Sequence, residues 1–237
     1  MTMDLKQERA VRTRNQILRA AAEVCDENGY DGASVSSIVR RAGLTLGALY
    51  FHFESKQALA EAVMNSQPQA IEPRLHSEGL QRLVDITLVW AHRLQIDPML
   101  RAGVRLAVEQ GRFGMSDVTS FEDWKQIMTG HLETARAEGD LRDGVLPRTV
   151  AHFVVGACTG IQLYSQLLTG RADLMDRTCD MWQLLLPGIA TLEATGTDRR
   201  RPRARSRRVT PGRSGSGAAD AARPQRHITV TGATGTV

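Results

Sequence analysis

Apolar residues recur at helical spacing along most of the first 195 residues, and no two segments alternate like a pair of strands. Between residues 34 and 56 this pattern divides into short helices. The first is predicted to begin at the N-cap Ser34 and to end at Gly43, which supplies the left-handed conformation common at helix ends. Thr45 is a good N-cap for the next helix. The apolar stripe of the first short helix, at spacing i, i+3, i+4 and i+7, consists of Val35, Ile38, Val39 and Ala42.

The second short helix combines small and hydrogen-bonding side chains on the side opposite its apolar residues. Such side chains let a helix approach base edges and phosphates in a major groove. Ser55 caps a third helix and places Lys56 in its first turn, where free backbone amides favour an anion. A helical hairpin inside a core has the same short helices but does not require polar groups at one end. The residues expected to contact DNA are Arg12, Thr45, Gly47, Ala48, Tyr50, His52 and Lys56.

The rest of the apolar pattern predicts longer helices with short breaks. Helix 1 is expected over about 12–28 with Gly29 as its terminator, and a fourth helix over about 55–73. Breaks are expected at Asp97-Pro98 and at the sequence GRFG, residues 111–114. The fold class is therefore expected to be all-α, with about nine helices. The remaining helices are predicted at 80–95, 121–138, 148–169 and 172–192.

Residues 9–64 resemble the DNA-binding domain of tetracycline-repressor-type regulators, over the whole three-helix unit and the start of helix 4. Separate segments resemble the γ-butyrolactone autoregulator receptors within that family. They are GALYFHFESKQALA at 47–60, LRAGVRLAVEQG at 100–111, FEDWKQI at 121–127, and GACTGIQ followed by LLTGRADL between 156 and 174. The resemblance implies a helix-turn-helix DNA-binding domain at 1–54 and a helical ligand-binding and dimerisation domain at 55–195.

One residue departs from the family pattern. Relatives usually carry a lysine directly after the threonine that starts the recognition helix, whereas this chain has Leu46. A cation at that place would serve a phosphate. Without it, the slope that describes the salt dependence of DNA binding is expected to be smaller by about one unit for each phosphate that is not neutralised.

The second domain supplies large apolar side chains and a few isolated polar groups, the composition of a cavity for a mostly apolar small molecule. Trp124 shares a predicted helix face with Ile127 and Met128, although packing alone explains most buried tryptophans. In the receptors that the chain resembles, a tryptophan at this place lines the pocket, and Gln67 and Thr159 match positions that hydrogen-bond the ligand. By chemistry alone, Thr159 could bond a carbonyl one turn back and Gln67 could face solvent. The resemblance implies a lactone or butenolide effector and no cofactor.

The function implied is a ligand-responsive transcriptional repressor that binds a pseudo-palindromic operator as a dimer and is released by a γ-butyrolactone or butenolide. An alternative is a pseudo-receptor that answers to an antibiotic or a biosynthetic intermediate. Catalysis is not expected, because the chain has no HExxH, GxSxG or Walker motif, and no metal motif is present. A structural helical adaptor is a third class, and it would bind no DNA sequence selectively.

The segment 151–168 is apolar on more than one face, and its Gly156 and Gly160 let another helix approach closely. A helix buried all round needs partners on several sides. We expect a four-helix interface between two subunits, although a monomer core has a similar composition. A homodimer would place two recognition helices roughly 34 to 36 Å apart, or a multiple of that, on duplex DNA. The residues of the last helix expected to take part are Leu174, Thr178, Met181, Trp182 and Leu185.

Charge is distributed unevenly along the chain. The net charge is +4, but ten arginines and two aspartates after Thr195 give +8, which leaves −4 for residues 1–195. The tail, 196–237, is rich in Arg, Pro, Gly and Ser and is expected to be disordered. It either adds sequence-independent attraction to DNA or is only a solvated extension.

The N-terminal residues and the cysteines indicate in which cellular compartment the protein is expected. The opening residues, MTMDLKQERAVRTR, are charged and lack the apolar core of a signal sequence. Polar residues interrupt the most apolar run, 150–168, so we expect a buried helix and no membrane span. Cys25, Cys158 and Cys179 show no paired spacing, which suits a reducing compartment. A cytoplasmic protein is expected.

Overall fold

The computed structural model describes residues 5–66 and 75–195, and these parts of the chain are almost entirely helical, which confirms the predicted all-α class. A 3₁₀ turn, Gln110–Phe113, follows the sixth helix. The only strand-like pairing in the described ranges is an isolated antiparallel bridge between Leu141 and Ala190. The nine α-helices of the described residues are α1 (Leu5–Gly32), α2 (Val35–Ala42), α3 (Leu46–His52), α4 (Lys56–Met64), α5 (Gly79–Ile96), α6 (Pro98–Glu109), α7 (Thr119–Ala137), α8 (Pro147–Thr169) and α9 (Leu174–Ile189).

The helix limits follow the apolar pattern except at the start of α1, which begins at Leu5 rather than near Arg12, and at the end of α4, which lies at Met64 rather than near residue 73. No residue of α1 before Ile17 is buried, so the first turns of this helix carry no apolar stripe that a pattern could detect. Gly29 interrupts α1 as predicted, with φ 71° and ψ 179°, and residues 30–32 continue beyond it. Residues 67–73, which were also predicted in helix 4, and the Arg-rich tail lie outside the described residues.

The first hydrophobic core is enclosed by α1 to α4 together with one face of α6. Ile17, Ile38 and Leu49 from α1, α2 and α3 are almost completely buried in it. The helix α4 was predicted to belong to the second domain, yet its Leu59 packs here. Leu106 of α6 lies in the same cluster. The N-terminal helices therefore do not close their own core without α6, a helix of the predicted second domain.

The second core lies among α5, α7, α8 and α9 together with Leu100 and Val104 of α6, and it contains Trp182, which has no solvent exposure. The indole Nε1 of Trp182 donates to Thr87 Oγ1 at 2.6 Å, and Thr87 Oγ1 in turn donates to Val84 O at 2.8 Å. A buried indole N–H therefore has a partner, as such groups usually do. This hydrogen bond ties α9 to α5 across the core.

The prediction that the last helix uses its apolar stripe as a subunit interface is wrong for most of the named residues. Leu174, Thr178, Met181 and Trp182 are buried within their own chain, and Leu185 is half-buried. Helical spacing identifies a buried stripe but does not reveal whether the same chain or a second subunit covers it. The exposed apolar side chains of this region lie on other faces of α8 and α9.

Membrane spans and metal clusters are both missing from the part of the chain that the structure describes. None of its helices combines the length and apolar character needed to cross a bilayer. Within the same residues, no group of three or more histidine, cysteine, aspartate or glutamate side chains could hold a metal ion.

The Thr87 hydroxyl should contribute measurably to stability. Thr87→Val keeps the shape but leaves the buried indole N–H of Trp182 without an acceptor, so we expect the free energy of unfolding to fall by about 1 to 3 kcal/mol. The measurement is urea unfolding followed by circular dichroism, with the slope m compared to exclude a changed unfolded state.

Thr178→Val is the matched control. Thr178 is as buried as Thr87, and its hydroxyl also donates to a carbonyl one turn back, Leu174 O at 2.8 Å. No indole donates to it, so its replacement should cost clearly less. Equal decreases in stability for both variants would show that the Trp182 hydrogen bond adds nothing.

Candidate nucleic-acid interface and effector cavity

The unit formed by α2, the turn and α3 is shaped by local hydrogen bonds. Ser34 Oγ accepts from Ser37 N at 3.0 Å and caps α2. Gly43, at φ 65°, ends α2 in the left-handed region, a conformation that costs glycine little. Thr45 Oγ1 accepts from Ala48 N at 3.2 Å and starts α3. Both predicted caps and the predicted turn are therefore present, and they give the two helices a helix-turn-helix arrangement.

The helix α3 buries one side and exposes the other. Leu49 is fully buried, and Phe53, the residue after the helix, is nearly so. On the opposite side, Tyr50 is 49% exposed. The predicted contacts Thr45 and Gly47 lie at or near the surface, whereas Ala48 and His52 are half-buried. The structure thus gathers the residues predicted on α3 at one accessible end of the first core.

Phe51 is a feature of this face that the sequence prediction missed. It is 79% exposed, and its ring meets the His52 imidazole edge to face at 5.1 Å between centroids. An apolar residue in the sequence LYFHF gives no sign of whether it points inward. Leu49 and Phe53 of this stretch lie in the core, whereas Phe51 lies on the surface.

Lys56 stands in the first turn of α4, which Ser55 caps by accepting from Ala58 N at 3.0 Å. The ammonium group lies 4.1 Å from the centroid of the Tyr30 ring, a cation–π contact. Tyr30 itself stacks on Phe113, with ring centroids 3.8 Å apart. Two aromatic rings therefore restrict where the Lys56 charge can lie. No local pattern signals this stack, because its members are far apart along the chain.

Three arginines near the first core differ in whether their charges already have a partner in the protein. Arg12 lies beside a groove between α1 and α2 and is exposed. The Arg14 guanidinium lies 5.0 Å from the centroid of the Phe53 ring. Arg41 pairs with Glu27 at 2.8 Å and Glu23 at 3.2 Å, and these hydrogen bonds raise the pKa of Arg41 and lower that of Glu27. Arg41 is therefore already paired, whereas Arg12 remains a candidate for a phosphate.

A cavity of about 530 Å³, including its open mouth, lies between α5, α6, α7 and α8. Trp124 and Thr159, both predicted to contact a ligand, line it. The third predicted residue, Gln67, lies outside the described residues. The full lining is Ile86, Thr87, Trp90, Val104, Ala107, Val108, Ser120, Phe121, Trp124, Met128, Val155, Cys158 and Thr159.

The cavity wall contains no charged side chain and only a few polar groups. The Thr159 hydroxyl donates to Val155 O at 2.9 Å, the bond one turn back that its chemistry allows, so its oxygen can still accept. Within the described part of the chain, neither the Trp90 nor the Trp124 indole N–H donates a hydrogen bond to protein. Trp90 and the buried Ser120 were not predicted, because only the tertiary fold brings α5 against α7.

Cys158 also lines the cavity, and burial lowers the reactivity of its thiol. Desolvation raises the pKa of its thiol to about 12, because the thiolate would lie among apolar groups. The side chain is therefore a neutral thiol near neutral pH. It acts as a small apolar group of the wall and not as a nucleophile.

A third surface combines exposed apolar side chains of α8 and α9. Leu167 and Leu184 are both 83% exposed. Gly156 and Gly160, on α8, face open space, so another helix could approach α8 closely there. We call this surface the α8–α9 apolar face; its large exposed residues are Phe153, Leu163, Tyr164, Leu167, Leu168 and Leu184.

The position of Lys56 leads to a prediction about salt dependence. Lys56→Gln should reduce the magnitude of the slope of log K against log salt by about 0.9 for each phosphate that the lysine neutralises in each subunit. The measurement uses a duplex selected by the full chain from a random library. Arg136→Gln, which removes an exposed charge of α7, should leave the slope unchanged. Equal slopes for wild type and Lys56→Gln would contradict an interaction with phosphate.

Residues 17–63 match the tetR family of bacterial regulatory proteins, and residues 77–191 match a tetracyclin repressor-like C-terminal domain. The chain is 42% identical to the A-factor receptor protein of Streptomyces griseus, over 78% of this chain and 66% of the receptor's length, just under two thirds.

Two solved structures are similar in fold and sequence. The structure of a gamma-butyrolactone receptor, an ArpA-like protein, gives a TM-score of 0.58 at 30% identity, covering 78% of this chain and 90% of the other. That of CprB from Streptomyces coelicolor, in complex with its biological operator sequence, gives 0.62 at 32% identity, covering 78% and 91%. The resemblance drawn from the motifs is confirmed. The chain belongs to the tetR family of bacterial regulatory proteins.

Proposed function

We propose that this tetR-family regulator is a repressor whose homodimer binds a pseudo-palindromic operator and is released when a neutral γ-butyrolactone or butenolide occupies the cavity. One observation carries the proposal: a single helix, α6, forms part of the cavity wall and also packs against the helices that hold α3 and Lys56 in place.

Duplex binding is supported by the capped helix-turn-helix unit with its accessible α3. The second helix of such a unit enters the major groove and the first crosses the backbone. Arg12, in α1, and Lys56, in the first turn of α4, supply cations for phosphates. The similarity to a regulator whose structure was solved with its operator supports the same partner class here.

Dimerisation is supported by the α8–α9 apolar face. Six large apolar side chains exposed on two neighbouring helices form a patch that a second copy of the chain would cover. A closed two-fold dimer uses the same patch on both subunits. Gly156 and Gly160 allow the two α8 helices to approach closely. Such a dimer would place two copies of α3 against successive half-sites.

The cavity suits a neutral ligand with an apolar chain. Its wall has no charge to pair with an ionised group, and burying an unpaired charge is costly. Indole N–H groups of Trp90 and Trp124 can donate to a lactone carbonyl, and the Thr159 oxygen can accept from a hydroxyl. Ile86 and Met128 offer apolar surface for an alkyl or acyl chain. The similarity to the A-factor receptor and to a gamma-butyrolactone receptor supports this ligand class.

The link from cavity to DNA-binding helices runs first through arginines of α6. Val104 and Ala107 line the cavity. From the same helix, Arg101 Nε donates to Asp26 Oδ2 at 2.8 Å, and Arg105 Nη1 donates to Asp26 O at 2.8 Å. A ligand that displaces α6 therefore displaces α1 with it, because these bonds would otherwise break.

A second link runs through the aromatic stack. Phe113 lies in the 3₁₀ turn that directly follows α6, and it stacks on Tyr30, whose ring holds the Lys56 ammonium. A shift of α6 would change the orientation of Lys56 at the start of α4. In a dimer, both shifts alter the separation of the two α3 helices. A coupling of about 1 to 3 kcal/mol, common in allosteric proteins, would weaken operator binding about 5- to 150-fold.

Titration of operator binding tests the proposed release. The selected duplex and the full chain are mixed with synthetic γ-butyrolactones and butenolides that carry alkyl or acyl chains of different lengths. We expect at least one compound to weaken binding about 5- to 150-fold, as the coupling free energy requires. An antibiotic intermediate that weakens binding where every lactone fails would identify a pseudo-receptor, and it would contradict the proposed ligand class.

Two variants should separate the cavity from the DNA face. Trp124→Ala should abolish the response to the active lactone and leave operator affinity nearly unchanged. Tyr50→Ala should weaken operator binding and leave lactone binding, followed by quenching of tryptophan fluorescence, nearly unchanged. Impairment of both properties in either variant, with the helical signal retained, would show that the two sites are not separable in this way.

The proposed dimer interface leads to a prediction about the oligomeric state. Leu167→Glu places a charge in the α8–α9 apolar face, so we expect a monomer in sedimentation velocity and a decrease in operator affinity that far exceeds any decrease in helicity. Val118→Glu adds the same charge at an exposed apolar position in the loop before α7 and should remain dimeric. A Leu167→Glu dimer as tight as wild type would place the interface elsewhere.

A further inference from the structure

The helix α3 contains none of the side chains that usually read purines. Its sequence, LGALYFH, has no arginine, lysine, asparagine or glutamine. Arginine or lysine reads guanine through O6 and N7, and asparagine or glutamine reads adenine through N6 and N7. Neither recognition mode is available to the exposed side of α3. Whatever base selectivity this helix has must come from other contacts.

Thymine offers a contact that an exposed apolar side chain of α3 can make. Its C5-methyl group projects into the major groove and is recognised by apolar side chains. Leu46, in the first turn of α3, is 49% exposed although its side chain is entirely apolar. It is one turn from Tyr50, so both lie on the same side of the helix. The N-terminal residues of a recognition helix are those that meet base edges.

Gly47 leaves room beside Leu46 for such a contact. A Cβ built at Gly47 would meet no atom closer than Thr45 Oγ1, at 4.0 Å, so nothing of the protein fills the space. The absent side chain lets the α3 backbone lie close to the groove floor. A short branched side chain such as leucine reaches a methyl group only at close approach, and glycine next to it permits that approach.

A single exposed leucine is ordinary on a protein surface. Here the exposed apolar residue lies in the first turn of the second helix of a helix-turn-helix unit, where side chains meet base edges. A leucine there cannot bind a phosphate or hydrogen-bond a purine edge, so it can contact only apolar groups of the bases.

We propose that Leu46 is a specificity-determining residue that contacts the C5-methyl group of a thymine in each half-site, so that the operator is selected through methyl contacts in the major groove. This inference rests on the proposed function, since it requires α3 to bind duplex DNA. Tyr50 and the capping residue Thr45 position the helix, and Leu46 discriminates the base.

The test compares thymine with uracil, which lacks only the methyl group. The full chain first selects a duplex from a random library amplified with dTTP. Each dT of the selected half-site is then replaced by dU, one symmetric pair at a time, and affinities are measured. We expect one pair to weaken binding about 15-fold, from about four-fold for each methyl group removed, a factor that corresponds to about 0.8 kcal/mol.

Variants of Leu46 assign the effect to this residue. Leu46→Ala should bind the dT and dU duplexes equally well, with both affinities near that of wild type for the dU duplex. Leu46→Lys should also lose the preference for dT, while its salt slope increases. Full retention of the dT preference in Leu46→Ala would assign it to another residue or to DNA shape, and would overturn the inference.

The outcomes distinguish this inference from the proposed function. Enrichment of a sequence together with equal binding of every dU duplex would overturn the role of Leu46 and leave operator binding intact. Failure to enrich any sequence from the dTTP library would overturn both.

Discussion

The helix α6 packs into two hydrophobic cores at once, and the arrangement of the other helices depends on the contacts that hold α6 in place. The helix α1 is interrupted at Gly29, and the carbonyls of Cys25 and Asp26 lie in the turn before this interruption. Arg105 of α6 donates to both, and a cation is favoured at that end of a helix. A Cβ at Gly29 would lie 2.8 Å from Arg105 Nη2, so glycine makes the bond between the two helices possible.

This attachment makes the first core sensitive to the second. Asp26 and Arg101 are both about four-fifths buried, at 18% and 21% exposure, so separating them would leave poorly hydrated charges. Leu106 belongs to the first core and Val104 to the second. A displacement of α6 is therefore transmitted to α1 rather than absorbed between the cores. In the proposed function, the N-terminal helices therefore move as a unit when the cavity wall moves.

Local features of the sequence sufficed for the existence of the helices and for the ends that are capped locally, because caps such as Ser34 and Thr45 act within one turn. They also sufficed for the outward position of Tyr50. The sequence could not show that Trp182 faces its own core, or that Tyr30 holds Lys56, since both depend on helices distant along the chain. Trp124 and Thr159 were reached through family motifs, whereas Trp90 lies in no such motif and became visible only as part of the cavity.

The sparse charge near α3 bears on how such a regulator could be released. Residues 1–60 contain eight lysines or arginines and seven acidic residues, and Arg41 is paired with Glu23 and Glu27. Non-specific attraction to phosphates is correspondingly limited, because it grows with the number of unpaired cations. In the proposed function, a larger share of the affinity then depends on the close fit of α3 in two half-sites. A ligand that alters the spacing of the two α3 helices removes that share of the affinity, so a modest coupling free energy suffices to release the regulator from the operator.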